Sequence, residues 1–273
     1  MQKKRILVVP DIHGRIFWKA PVMKYLDTVD RVVFLGDFLD PYKDENQIAD
    51  DIFQNLMEII NLKKNNMEKV VLLKGNHDQH YASVRFKEVA GGTRMDTRNW
   101  DKYHQAFNEH KDLFRLVHVE TLKALPIVFS HAGLTSYWLK KVNEEVWHLP
   151  DHQVSVADPE IIRMINQLDD DGKGQDLLAV VGRRRSRWFG EKTGSVLWAD
   201  IEEHALSRAS QEYSLDKVFQ VFGHTQLIEN YDKLELDNLA MIDSRQCFMI
   251  DESIEEKIIS VRQSASSIIR SKR

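Results

Sequence analysis

The chain lacks most of what would tie it to a membrane, a disulfide scaffold or a nucleic acid. It has one cysteine among 273 residues, Cys247, so no intrachain disulfide can form, and this usage fits a reducing compartment. No apolar run approaches the roughly 18–20 residues of a membrane span. The basic start Met1-Gln2-Lys3-Lys4-Arg5 leads into a short strand-like run and then Pro10, not the apolar core of a signal peptide. Charge of one sign is missing too. The 38 Lys+Arg against 42 Asp+Glu leave a formal net charge of −4, which gives no general reason to expect nucleic-acid or membrane binding. No repeat, low-complexity stretch or clear domain linker interrupts the chain. Its length suits one large domain or two modest ones, and a chain 42% hydrophobic and 29% charged is ordinary for a globular protein. We expect a soluble, cytoplasmic protein forming a single domain over residues 1–273.

What the chain does have is one arrangement used five times. The apolar run Ile6-Leu7-Val8-Val9 leads into "PDIHGR", with Asp11 and His13. "RVVFLG" leads into Asp37-Phe38-Leu39-Asp40, "KVVLLKG" into Asn76-His77-Asp78, "PIVFS" into His131-Ala132-Gly133, and "KVFQVFG" into His224-Thr225. Each run is short, rich in β-branched or aromatic residues, and bounded by polar residues or glycine, as buried strands are. Each is followed at once by side chains that bind metals or move protons. Open α/β sheets carry their sites beyond the carboxyl ends of strands, so Asp11, His13, Asp37, Asn76, His131 and His224 are expected to meet. Gly14, Gly36, Gly75, Gly133 and Gly223 accompany the clusters and permit tight turns and close backbone approach.

These donors are oxygen and nitrogen with no thiolate, which favours first-row divalent ions or iron. They are too many for one zinc ion with an open position, and enough for two ions sharing a carboxylate. Two-metal hydrolytic sites hold their ions about 3.5–4 Å apart and need a bridging ligand. Asp37, in the middle of the set, is the expected bridge.

"DIHG", "GDFLD", "GNHD", "SHAG" and "GHT" together resemble the ordered motifs of the calcineurin-like metallophosphoesterases, over residues 10–225. The likeness is greatest to the phosphoprotein-phosphatase branch, which includes the diadenosine tetraphosphate hydrolases. "SVLWAD" (195–200) and "MIDSRQCF" (241–248) resemble further segments of that branch, as does Gln226 where many superfamily members carry a second histidine. The resemblance implies an α/β sandwich of two mixed β-sheets flanked by helices. It implies two divalent metal ions, manganese before iron or zinc. Asp11 and His13 would bind one ion, Asn76, His131 and His224 the other, and Asp37 both. A hydroxide bridging the ions would attack phosphorus in line, with His77 as general acid and Asp40 as its carboxylate partner. The substrate would be a phosphoprotein or a nucleotide: either a phosphomonoester, as for a serine/threonine phosphatase, or a dinucleoside polyphosphate. A binding scaffold that has lost catalysis is the third reading.

The chain departs from that pattern in two places. Asp78 stands where protein phosphatases commonly have Glu. Asp40-Pro41-Tyr42 stands where the branch has Asp-Arg-Gly, so an arginine that would grip phosphate is absent. Arg15, Arg94, Arg98 and Arg208 are the available replacements, and the basic knot Arg183, Arg184, Arg185 and Arg187 reads first as a solvated charge run and second as a phosphate or substrate contact.

Around these motifs, Asp44 with Gln47 three residues on reads as a helix cap leading into Ile48, Ile52, Leu56 and Ile59. Residues 98–112 and 134–146 read as helical. Asp158-Pro159-Glu160 starts another helix, which stops at Asp169-Asp170-Asp171-Gly172, a turn expected to be solvated. Short strands are expected at 239–243, 247–250 and 256–261, and a basic tail at the end. Residues 140–195 are the least patterned and are expected to be an insert that faces the substrate.

Overall fold

The apolar runs of the sequence are strands covered on both faces, which is why they are continuous and not alternating. The computed structural model describes residues 4–45, 47–89, 94–170, 172–186, 190–204, 212–227, 233–236, 238–252 and 259–261. Two mixed sheets pack on each other. In the first, β1 (Arg5–Val9), β2 (Arg31–Phe34), β3 (Val70–Leu73) and β4 (Phe114–Arg115) lie parallel. Beyond β1, antiparallel β10 (Cys247–Asp251) and β11 (Ile259–Val261) complete it. In the second, the order is β5 (Val117–Leu122), β6 (Leu125–Ser130), β7 (Phe219–Phe222), β9 (Leu239–Met241) and β8 (Leu234–Leu236). There β6, β7 and β9 are parallel neighbours.

Alternate residues of each strand enter different cores. Ile6, Val8, Val33, Leu35, Val71 and Leu73 meet Phe129, Phe219, Val221 and Ile242 between the sheets. Leu7, Val9, Val32, Phe34 and Leu72 point outward, onto α2 (Ala49–Asn65) through Ile52, Leu56 and Ile59, and onto α5 (Trp100–Glu109) through Tyr103 and Phe107. Cys247 is buried in that outer core. The second sheet is covered by α6 (Ser136–Val142), α7 (Pro159–Gln167) and α8 (Gly172–Leu178), using Trp138, Leu139, Ile161, Ile165 and Leu178. Each such buried side chain is worth about 1.5–3 kcal/mol. Among the described residues no helix is long and apolar enough to cross a membrane.

Two polar contacts tie the layers together. Glu120 on β5, 6% exposed, accepts from Arg31 Nε of β2 at 2.6 Å and from Lys4, and pairs with His118 Nε2 at 2.9 Å, so one carboxylate joins both sheets. Asp169, after α7, accepts from Lys74 and from Gln79 Nε2 at 3.0 Å. The turn expected to be solvated therefore turns one carboxylate inward; Asp171 lies outside the described residues.

The α7 start is as read, with the Asp158 side chain accepting from Glu160 N. The α2 start is not. Lys43–Glu45 form a 3-10 turn, the helix begins at Ala49, and extended Ile48 is its cap. The Gln47 side chain is taken instead by the carbonyl of His13 at 3.1 Å. The expected 256–261 strand is described only as β11, and the basic tail lies outside the described residues.

Candidate metal centre

Strands β1, β2 and β3 of the first sheet and β6, β7 and β9 of the second aim their carboxyl ends at one place. Asp11 and His13 follow β1, Asp37 follows β2, Asn76 follows β3, His131 follows β6 and His224 follows β7. The turns after β1 and β2 are stitched to each other by Ile12 N and His13 N to Asp37 O, at 3.1 and 2.6 Å, and by Gly14 N to Phe38 O at 2.9 Å. His13, Asp37, Asp40 and His224 all have positive φ, between 46° and 67°. Such a conformation costs a non-glycine residue about 1–3 kcal/mol and persists where the surroundings over-determine it. At two strand ends a glycine lets backbone and carboxylate touch. A Cβ on Gly75 would lie 2.1 Å from Asp37 Oδ1, and one on Gly223 would lie 2.1 Å from Asp11 Oδ1.

The donor atoms of Asp11, His13 and Asp37 lie within 4.8 Å of one another, and so do those of Asp37, His131 and His224. Asp37 belongs to both groups. The imidazoles are set for ligation. His13 Nδ1 is bonded to Leu39 O at 2.9 Å and His131 Nδ1 to Leu35 O at 3.0 Å, so in each the Nε2 lone pair faces Asp37 Oδ2, at 3.5 Å. Carbonyl-anchored tautomers of this kind are typical of metal-bound histidine. His131 Nε2 also lies 3.0 Å from Asn76 Oδ1 and 3.1 Å from His224 Nδ1. His224 Nε2 is buried with no hydrogen-bond partner among the described residues. Carboxylate, amide and imidazole donors gathered this closely, with a buried imidazole nitrogen left over, fit cations.

The electrostatics agree. Burial, then the charge of Asp243, pushes Asp11 well above the usual carboxylate range; burial, then Asp78, does the same to Asp37. Burial drives His131 down to about 3 and, with His131 beside it, His224 well below its ordinary value. These directions favour neutral imidazoles, the form that can bind a metal ion, beside carboxylates buried close to one another.

Beside this cluster, His77 Nδ1 lies 2.7 Å from Asp40 Oδ2, and the Tyr81 hydroxyl donates to Asp40 Oδ1. His77 N donates to Asp37 Oδ1 at 2.9 Å. Asp78 has a framework part: its carboxylate accepts from Phe38 N and Gly75 N, each at 2.8 Å, and so locks the β2 and β3 turns together.

Of the arginines, Arg94 lies against Tyr42, its Nε donating to Asp40 O at 3.3 Å. Arg15 is paired with Glu45, and Arg98 is exposed. Within the basic knot, Arg185 donates to Thr225 Oγ1 at 2.8 Å and pairs with Asp200 at 3.1 Å, beside His224, whereas Arg184 pairs outward with Glu202. Arg187 and Arg208 lie outside the described residues.

Asp243 was missed. It follows β9, the sixth parallel strand, is 3% exposed, and is pushed up to about 6 by burial against the opposing pull of Arg15 and Arg245. The signal was present, since Leu239-Ala240-Met241-Ile242 is another apolar run ending in an acid. Tyr81 had no such signal.

The family model of calcineurin-like phosphoesterases matches residues 4–228. No curated protein matches the sequence. Among solved structures, the chain is similar to a cold-active protein-tyrosine phosphatase of a psychrophilic Shewanella species, at TM-score 0.54 and 14% identity, covering 91% of this chain and 76% of that one. It is also similar to a protein serine/threonine phosphatase of Saccharomyces cerevisiae with similarity to human phosphatase PP5, at TM-score 0.52 and 14% identity, covering 96% and 82%. At that identity the likeness is one of fold.

Proposed function

The chain belongs to the calcineurin-like phosphoesterase family, and from that premise we propose that it is a two-metal phosphomonoesterase of the serine/threonine protein phosphatase type. The observation that carries the reading is the pair of donor groups sharing Asp37, with the His77–Asp40 pair alongside. Asp11, His13 and Asp37 would hold one divalent ion; Asp37, Asn76, His131 and His224 would hold the other, with manganese the first to test. Such a pair supplies Lewis acidity, acidified water and charge to offset the phosphoryl oxygens. The protein supplies the rest. Asp37 and Asn76, at the ends of neighbouring strands β2 and β3, would present their donors to the ions from one sheet. Asp40 anchors the His77 ring by Nδ1, so that the other ring nitrogen can give a proton to the departing oxygen. Tyr81 holds Asp40 in that pose.

Purified protein with added manganese should hydrolyse p-nitrophenyl phosphate. His77→Ala should lose about 10²–10⁴-fold in kcat, the usual contribution of a positioned general acid, with metal content unchanged. Equal turnover by the two proteins would remove His77 from the chemistry. No turnover with any divalent metal would leave a binding scaffold. A second reading within the same chemistry, hydrolysis of a phosphoanhydride, is favoured by the guanidinium groups around Tyr42.

A further inference from the structure

Three guanidinium groups converge on one aromatic ring at the edge of the metal centre. Their Cζ atoms lie 3.9 Å (Arg94), 5.1 Å (Arg15) and 5.8 Å (Arg245) from the Tyr42 ring centroid. The Tyr42 ring itself stands edge-on to His13, centroids 5.1 Å apart. One carboxylate serves two of the three: Glu45 Oε1 accepts from Arg15 Nε at 2.9 Å and pairs with Arg245 Nη2 at 3.1 Å. Arg94 has no carboxylate partner among the described residues; its Nε donates to Asp40 O at 3.3 Å and its Nη2 lies 3.4 Å from His13 Nδ1. Asp243, whose carboxyl feels Arg15, Arg245 and Arg94, is a second acid beside the cluster, so three guanidinium groups face two carboxylates, an excess of positive charge that suits an anionic ligand. The buried carboxylates of the metal centre are the other negative charges nearby, and bound cations would claim them. Arg94 also lines a cleft of about 430 Å³, with Asp40, Gln47, Asp96, Arg98 and Tyr103 in its walls.

We infer that Arg15, Arg94 and Arg245, gathered on Tyr42, form a second anion subsite, which takes the phosphate next to the scissile one in a linear phosphoanhydride. The inference rests on the two-metal phosphoesterase chemistry, which would put the scissile phosphoryl at the two ions, and it takes the phosphoanhydride reading over the phosphomonoester one. From there the cluster begins at the outer edge of a ligand imidazole, so an adjoining phosphate in the same chain reaches it directly. A phosphoserine side chain brings no second anion at that short, fixed spacing. The cleft beyond gives room for what the phosphate chain is attached to.

Calorimetric titration of the manganese-loaded full chain with inorganic phosphate and with tripolyphosphate, at constant free manganese, tests this. Tripolyphosphate should bind at least about tenfold more tightly, the gain expected of added charge-assisted contacts. Arg94→Ala and Arg245→Ala should bring that ratio close to one. Glu45→Gln, which frees two guanidinium groups, should raise it, a direction that mere damage to the fold would not give. A wild-type ratio near one overturns the subsite, as does a ratio that none of the three variants moves. Tighter binding of a phosphoserine peptide than of tripolyphosphate overturns the choice of ligand. The expected binding ratios without turnover of any phosphoester would sink the proposed function and leave the subsite standing.

Discussion

At the scale of single residues, His77 and Asp40 carry opposite tendencies. Burial, then Arg94, lowers the imidazole well below its ordinary range, and burial raises the carboxyl to about 6 against the hydrogen bond from Tyr81. Each charged form alone is disfavoured, and the 2.7 Å contact lets the two share a proton. Asp40→Asn should therefore cut kcat by a large part of the His77→Ala loss without changing bound metal. Tyr81→Phe, which removes one donor to a charged acceptor, should cost less, on the order of tenfold. Steady-state kinetics with metal analysis separates the three variants. Asp243 predicts a different signature. Removing one of three mutually repelling buried carboxylates, by Asp243→Asn, should weaken metal retention about 10–100-fold, as outer-shell changes do, read by metal content after dialysis. Those roles differ in how legible they were. A candidate ligand at the end of an apolar run announces itself, as Asp11 and His224 do. Tyr81 acts through helix packing that brings it to Asp40 across 41 positions of chain, and nothing local marks it.

At the scale of elements, the site depends on how closely backbone can approach carboxylate. Gly75→Ala and Gly223→Ala would each force a methyl group to within about a bond length and a half of a ligand oxygen, where a gap of 2.1 Å is available. Both variants should keep their circular dichroism while losing manganese, since the carboxylate can shift more cheaply than the strand. Retained metal at wild-type affinity would show that these glycines serve the turns alone. The strands that carry the candidate ligands could be read from sequence because both of their faces are buried. Strand β5 could not. Its hairpin with β6 turns through Lys123-Ala124, both at positive φ (45° and 67°), where Asn-Gly is the usual signal. The α2 start was misplaced for a related reason: a favourable local cap at Asp44 lost to the tertiary bond that Gln47 makes with His13.

At the scale of the whole molecule, two sheets are held by an apolar layer and by the Glu120 clamp. Burial alone would raise the Glu120 carboxyl, but hydrogen bonds from His118 and Lys4 outweigh it and hold the pKa at about 2, below the ordinary 4.5. A lowered folded-state pKa means the stabilisation is present above 4.5 and is lost as pH falls toward 2. Thermal melts should thus show Tm declining through that window, with a shallower decline in Glu120→Gln. Chelation should act at neutral pH. Binding to the folded state alone contributes about 2.7 kcal/mol at a hundredfold excess over Kd, so EDTA should lower the Tm measurably, and added manganese should restore it. The sandwich architecture followed from the family resemblance of the motifs, whereas its closure did not. The contacts of Glu120 with Lys4 and Arg31, like those of Asp169 with Lys74, join distant segments whose sequences show only ordinary charged residues.

The burial of Cys247 has a practical corollary. Its surroundings push the thiol pKa up and leave the side chain 1% exposed, so in the folded protein it is shielded from alkylating probes. The natural sequence thus serves as its own unreactive background. One engineered surface cysteine beside the Tyr42 cluster would accept a fluorophore or spin label in a single place, and delayed labelling of the native thiol would count opening events of the outer core.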